Sequence, residues 1–236
     1  MSSNPAKTTA PIVVYCTIST KEAMIELVPE FERISGYAVR ITVKPAPELV
    51  HEIRGGMRGD IFIGPEEYSE PLINEGILVA GSRSAFARST TGLAVRTGTP
   101  KPDIGTPEKL KAALLAARSV AYSEGASGMM FVRAIEQLGI ADAINAKRAT
   151  SRPGEMVGAI VARGGADIGI QQISALLPVP GIEIVGRLPE TLQEVIVYGT
   201  NVFAGSTGGE AAQAFVRFLR SPTAHAVLRR KGLEPA

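Results

Sequence analysis

Short apolar runs alternate with helix-period segments from the start of the chain, and no other feature narrows its fold as far. Ile12-Val13-Val14-Tyr15-Cys16 carries no charge over five positions, as expected of a strand buried on both faces. Ser19-Thr20-Lys21-Glu22 follows with the spacing of a capping box, in which a serine and a glutamate satisfy each other's orphan amides at a helix start. Ala23, Met24, Leu27, Val28 and Phe31 then recur at helical spacing. Pro29 is expected to kink or split that helix, and Gly36 to end it. Residues 39–43 alternate as a second strand, Pro47 opens a short helix with Leu49, Val50 and Ile53, and Asp60-Ile61-Phe62-Ile63-Gly64 reads as a third buried strand. This β-α-β-α-β order predicts a mostly parallel sheet with ligands at the carboxyl ends of its strands.

The pattern then repeats. Residues 93–96 predict a strand, residues 109–117 a helix and Val120-Ala121-Tyr122 a strand. The turn-rich stretch Ser123-Glu124-Gly125-Ala126-Ser127-Gly128 leads into a helix carrying Met130, Phe131, Ala134, Ile135 and Leu138 and closed by Gly139. Arg152-Pro153-Gly154 precedes a helix with Met156, Val157, Ile160 and Val161, which Gly164-Gly165 breaks before a strand over residues 166–170. Residues 193–203 predict a long strand leaving this half, and residues 209–233 two helices that cover the first sheet. The expected fold class is α/β: two Rossmann-like lobes with mixed, mostly parallel sheets joined by two crossover strands. Residues 11–90 and 199–236 are assigned to one lobe, residues 91–198 to the other, and residues 1–10 to a flexible tail. A chain of 236 residues has room for two lobes of ~100–120 residues each.

Composition excludes several functions. The formal net charge is +2, from 25 Lys and Arg against 23 Asp and Glu, with no basic run longer than Arg229-Arg230-Lys231. Nucleic-acid binding wants a basic stripe or a known module, and neither is present. Cys16 is the one cysteine, so no disulfide forms within the chain, and His51 and His225 lack metal-ligand spacing. No metal and no cofactor is expected. No apolar run reaches the ~20 residues of a membrane span. The first ten residues lack the apolar core of a secretory signal. That is expected of a cytoplasmic chain, or of a periplasmic one whose signal has been removed.

Three strand-to-helix junctions share small, hydroxyl-bearing or glycine residues: Thr17-Ile18-Ser19-Thr20, Ser123 to Gly128, and Arg152-Pro153-Gly154. Helix starts of this kind leave amides open to an anion and add the positive end of the helix dipole. Each junction alone is also what an ordinary N-cap looks like; the three together, in a duplicated frame, point to a site for a small anion. Lys44, at the end of the second strand, and Arg152 are the cationic candidates, although an exposed lysine is commonplace. Gln171-Gln172 follows the strand over residues 166–170, and period-2 geometry turns only one of the pair toward a cleft. The candidate ligand set is therefore Ser19, Thr20, Lys44, Pro45, Ala46, Ser123, Ser127, Gly128, Arg152, Gly154 and Gln172. No nucleophile–base pair, P-loop or dinucleotide fingerprint occurs. Proton transfer by Glu124, Glu155, Lys44 or Tyr122 is the one catalysis these residues offer, and no catalytic residue is assigned.

The same stretches resemble a known family. Ser19-Thr20-Lys21-Glu22-Ala23, Ile53-Arg54-Gly55-Gly56 with Gly59-Asp60-Ile61-Phe62-Ile63, Gly165-Ala166-Asp167-Ile168-Gly169-Ile170, Phe215-Val216-Arg217-Phe218-Leu219-Arg220-Ser221-Pro222 and Lys231-Gly232-Leu233 are similar to type II periplasmic binding proteins of the molybdate-binding branch. The resemblance covers nearly the whole chain. It implies a two-lobed cleft with oxyanion contacts at Ser19, at the Pro45-Ala46-Pro47 turn, at Ser127, at Gly154 and at Gln172. Molybdate binders carry a serine in the second position and a tyrosine in the last. Here Lys44-Pro45-Ala46-Pro47 and Gln172 stand instead, which favours a small carboxylate-bearing anion, a di- or tricarboxylate, over a tetrahedral oxyanion. The Ala-Pro turn and Gln171-Gln172-Ile173-Ser174 are similar to a branch that includes aconitate isomerase-like proteins. That branch implies a cofactor-independent isomerase as the alternative to a binding module. The implied partners are a small organic anion and, where a signal peptide has been removed, an ABC transporter.

Overall fold

The computed structural model describes residues 10–149 and 155–236. The chain divides into two compact units, one of Met1–Arg88 with Val197–Ala236 and one of Ser89–Ile196.

In the first unit, β1 (Ile12–Thr17) lies between β2 (Val39–Lys44) and β3 (Ile61–Pro65), parallel to both. The sheet continues past β3 through β9 (Ile196–Val202) and β4 (Ser84–Ser89) to the short edge strand β10 (Glu234–Pro235). β9 runs antiparallel to β3, and β10 antiparallel to β4. Helix α1 (Lys21–Ser35) buries Ala23, Met24, Leu27, Val28 and Phe31, the stripe its periodicity foretells, and ends at Gly36 in the left-handed region, φ 74°. Pro29 sits inside α1 without dividing it, because the carbonyl it strands belongs to Ile25, on the exposed face, where water can satisfy it. The C-terminal helices α9 (Gly209–Phe218) and α10 (Pro222–Arg230) pack on α1; the Phe31 ring meets Phe215 edge-on, centroids 4.9 Å apart. On the opposite face α2 (Ala46–Arg54) and α3 (Glu66–Asn74) close a second apolar cluster with Leu49, Ile53, Phe62, Leu72, Leu78 and Phe203.

A buried carboxylate ties these pieces together. Asp60, just before β3, accepts from the Val13 amide at 2.8 Å through one oxygen. Its other oxygen accepts from the Ser206 hydroxyl at 2.7 Å and the Gly208 amide at 2.8 Å. Gly208 has no room for a side chain, since an added carbon would lie 2.9 Å from the Asp60 carboxyl carbon.

The second unit holds a four-stranded sheet in the order β6 (Val120–Tyr122), β7 (Ile168–Gln172), β5 (Thr91–Arg96), β8 (Ile182–Arg187). β6 and β7 are parallel, whereas β5 is antiparallel to both of its neighbours. The second repeat thus keeps the order of elements seen in the first but reverses its opening strand. α4 (Pro107–Ala116) is capped by the Thr106 hydroxyl, which accepts from the Lys109 amide. α5 (Ala126–Gln137) and α6 (Ala141–Asn145) share a core with Leu93, Val120, Phe131, Ile144, Ile168 and Ile170. α7 (Val157–Ala162) covers the other face, where Gly169 lets it approach: an added carbon there would stand 2.7 Å from Val161. α8 (Ile173–Leu176) follows β7 directly. Three strands differ from expectation: β9 is shorter than predicted, and β4 and β8 were not predicted. The predicted strand over residues 193–203 begins only at Ile196, after a 3-10 turn over Glu190–Leu192. β4 and β8, with polar residues interleaved, carry little periodicity.

Candidate functional site

In the first unit β1 and β2 end level, with Thr17 opposite Lys44. The expected capping box does not form. A 3-10 turn over Ile18–Thr20 intervenes, α1 begins at Lys21, and its N-cap, Thr20, makes no side-chain cap. The Thr20 hydroxyl is turned inward, donating to the Thr17 carbonyl at 3.1 Å and lying 2.8 Å from the Cys16 sulfur. Burial pushes the Cys16 thiol up to about 12, against the partial relief of that Thr20 contact, so the sulfur is an inert core group. Burial holds the phenol of Tyr198, on β9, far above the ordinary tyrosine range, with partial relief from Ser19. Tyr198 is fully buried and lies opposite Pro65 in the β3–β9 ladder. It is a residue the sequence does not flag: 179 positions separate it from Ser19 (198 − 19), and no local pattern marks it.

Lys44 is not a lone cation. Its ammonium donates to Glu48 at 2.8 Å and to Glu52 at 2.5 Å, both on α2, and these bonds raise its pKa above the ordinary lysine value. Two of its three protons are therefore engaged, leaving one for a ligand. Pro45 is the N-cap of α2 and Ala46 its first residue. Pro47 then removes a donor from the first turn, so the helix start presents fewer amides than most do.

In the second unit, α5 begins at Ala126, placing Ser127 and Gly128 in its first turn rather than in a loop. The cap is Gly125, extended at φ −84° and ψ −167°, with no side-chain cap. The Ser123 and Ser127 hydroxyls are 3.1 Å apart. Gly128 presses against the Ser123 backbone so closely that an added carbon would fall 1.6 Å from its carbonyl oxygen. Ser123 and Gly128 border a cleft of about 410 Å³ together with Tyr122, Met129 and Arg148; Ser127 is buried behind it. Arg148 lies over the Tyr122 ring, 4.4 Å from its centroid, and pairs with the exposed Glu124 at 3.6 Å. The Tyr122 hydroxyl donates to Asn145 at 2.6 Å. Glu155 is engaged by Arg163 at 2.7 Å. Of the proton-transfer candidates, Tyr122, Glu124, Glu155 and Lys44 thus each have a partner of their own.

Gln172 ends β7, buried, opposite Thr91 of β5. Gln171 is buried as well, opposite Gly92, so the pair points to both faces as period-2 geometry requires. The hydroxyls of Thr91, opposite Gln172, and of Ser174, two residues on, are buried without a hydrogen-bond partner among the described residues. Buried hydroxyls are normally satisfied, and this polar group is a second feature without a sequence signal. Arg152 and Gly154 lie outside the described residues. Within the first unit the structure brings Ser19, Lys44, Pro45 and Ala46 to one strand edge; within the second it brings Ser123, Ser127 and Gly128 together, with Gln172 at the end of β7, parallel to β6. Among the described residues no group of three or more His, Cys, Asp or Glu could hold a metal ion, and no helix is long and apolar enough to cross a membrane.

Comparison with known proteins bears on the family and the fold. The family profile of the bacterial extracellular solute-binding proteins matches residues 12–234. An aconitate isomerase from Pseudomonas sp is 32% identical over 243 residues, covering 100% of this chain and 93% of that protein. The molybdate-binding protein ModA of Azotobacter vinelandii is 25% identical over 217 residues, covering 89% and 84%. Among solved structures, the sulfate-binding protein SubI from Mycobacterium tuberculosis superposes with a TM-score of 0.78 at 18% identity, over 97% of this chain and 88% of that one.

Proposed function

Because the chain belongs to the bacterial extracellular solute-binding protein family, we propose that it binds a small organic anion, a di- or tricarboxylate in preference to molybdate. The observation that carries this reading is the start of α2. A tetrahedral oxyanion is best held by several neutral donors in a compact shell, and this helix start has lost one to Pro47. What it offers instead is the Lys44 ammonium, whose charge-assisted bonds suit a carboxylate. Ser19, just past the end of the neighbouring strand β1, supplies a neutral contact beside it. The 32% identical relative named as an aconitate isomerase acts on a tricarboxylate by name, which supports the same ligand class.

That relative also favours a second reading, isomerisation of an unsaturated tricarboxylate by proton transfer at the bound ligand. Fold likeness alone does not choose between holding and converting.

A thermal-shift series tests the ligand class, since a ligand that binds only the folded chain stabilises it by about 2.7 kcal/mol at a hundred times its Kd. Citrate, trans-aconitate and malate are expected to raise Tm, and molybdate, tungstate, sulfate and phosphate to leave it unchanged. A rise with molybdate or tungstate alone overturns the reading. Incubating trans-aconitate with the protein in D₂O then separates the alternatives. Deuterium in the recovered ligand, or its cis isomer, marks an isomerase; unlabelled, unaltered ligand marks a binding protein.

A further inference from the structure

One row of the first unit's sheet carries more polar capacity than the chain itself uses. Thr17, the last residue of β1, lies opposite Lys44, the last of β2. On its other side is Gly64 of β3, where an added carbon would stand 3.3 Å from the Thr17 methyl. Gly64 in turn faces Gly199 of β9. The space a side chain would fill at Gly199 is taken by Arg83, which precedes β4. An added carbon there would lie 3.2 Å from the Arg83 Nε and 3.4 Å from its guanidinium carbon. A glycine within a strand commonly marks such a close approach, and here it lets an arginine lie across the sheet face.

Three groups on this face are buried without a partner among the described residues: the Thr17 hydroxyl, the Arg83 Nε and both side-chain atoms of Asn201. Asn201 stands two residues beyond Gly199 and so shares its face. The other contacts of Arg83 are long. One Nη donates to the Val197 carbonyl at 3.4 Å and lies 3.5 Å from the exposed Glu66 carboxylate, against ~2.7–2.9 Å for a charge-assisted bond. Lys44 is held at hydrogen-bond distance by two acids, Glu48 and Glu52; Arg83 has one, further off, and keeps more of its charge to give.

We propose that Arg83 is a ligand-binding residue: its guanidinium takes one carboxylate of the bound anion, with the Thr17 hydroxyl as a neutral donor in the same row. A guanidinium is a planar fork of N–H donors, matched to a planar carboxylate and not to a tetrahedral oxyanion. With Lys44 at one end of the row and Arg83 at the other, the arrangement suits an anion bearing more than one carboxylate. The inference rests on the organic-anion reading given above and deepens it.

Calorimetric titration of wild type, Arg83→Gln and Arg83→Lys with trans-aconitate tests it. Arg83→Gln is expected to weaken binding by about 10-fold or more, the range of a hydrogen bond to a charged group. Arg83→Lys keeps the charge without the fork and should fall between Arg83→Gln and wild type. A smaller loss in Arg83→Gln overturns the proposal. So does an equal loss in Arg83→Lys, which would show that the side chain acts through packing and not through charge. If Arg83→Gln does not fold, Glu66→Gln leaves the guanidinium in place and removes the carboxylate that competes for it. Binding is then expected to tighten by up to about 5-fold, and unchanged or weaker binding overturns the proposal. A wild-type protein that takes up no carboxylate refutes the ligand class, and Arg83 falls with it. Wild-type uptake with undiminished binding by Arg83→Gln refutes Arg83 alone.

Discussion

Gly128→Ala isolates the close approach at the start of α5. The added carbon would lie 1.6 Å from the Ser123 carbonyl oxygen and 2.6 Å from its carbonyl carbon. Ordinary carbon–oxygen contact needs roughly 3.3 Å or more, so the first turn of α5 must retreat by about 1.7 Å or the Ser123 peptide must turn. Both obstacles are backbone, so no side-chain rotamer relieves them. Retreat would pull Met130 and Phe131, both buried in this unit's core, out of register with their neighbours. Overpacking of this kind costs about 3 kcal/mol, at the upper end of its usual range, and the better helix propensity of alanine returns about 1 kcal/mol. The net loss of about 2 kcal/mol lowers Tm by roughly 4–8 °C in a chain of this size. Gly125→Ala is the control. Its added carbon meets only the Ser123 hydroxyl, at 3.9 Å, and replacing a glycine cap by alanine costs at most about 1 kcal/mol. Calorimetric melting of both variants decides the matter. A Gly128→Ala protein that melts with wild type, or with the control, refutes the packing described for α5.

Other outcomes follow from the same geometry. Asp60→Ala strands the amides of Val13 and Gly208 and the Ser206 hydroxyl, which is expected to destabilise the protein by about 3 kcal/mol in urea titration; a loss below about 1 kcal/mol would show that these groups find other partners. Asp167 is held below the usual carboxylate range, first by the Arg118 guanidinium that donates to it. A depressed folded pKa adds stability above the unfolded value near ~3.9 that is lost as pH falls through the folded one. Asp167→Asn should therefore flatten the acid limb of the stability profile below about pH 4, and an unchanged limb counts against the pair. Cys16, raised to about 12 by burial, should resist iodoacetamide at pH 8 in the native protein and react fully in denaturant; labelling of the native protein would contradict its burial. Lys44→Ala should weaken carboxylate binding in the calorimeter, and unchanged affinity would remove Lys44 from the site.

Much of the frame was legible because it depends on local pattern. The uncharged run of β1, the apolar stripe of α1 and the glycine stops at Gly36 and Gly139 each declare themselves within a dozen residues. β4 and β8 escaped notice because their burial is partial and mixed, so no face of theirs repeats cleanly. At the site the limit is distance along the chain. Ser19 reads as a cap because Glu22 stands three residues on; what displaces it is the 3-10 turn over Ile18–Thr20, which moves the helix start to Lys21. Lys44 reads as a free cation because the eye follows β2, while the acids that hold it lie on the next helix. The reversed direction of β5 is equally invisible, because strand order in a sheet is set by crossovers and not by composition.

The division of the chain has a consequence for the order in which it is made. β9 stands between β3 and β4 in the first unit's sheet, yet it is synthesised after the whole of Ser89–Ile196. When β4 emerges from the ribosome, neither of its sheet neighbours, β9 and β10, exists. At about 5–20 residues per second, an exposed strand edge waits several seconds or more while the second unit, continuous in sequence, is completed and free to fold first. The first unit is then closed by the last forty or so residues, so a truncation that removes them would leave the unit completed first, Ser89–Ile196, intact and β3 and β4 without the strand that stands between them.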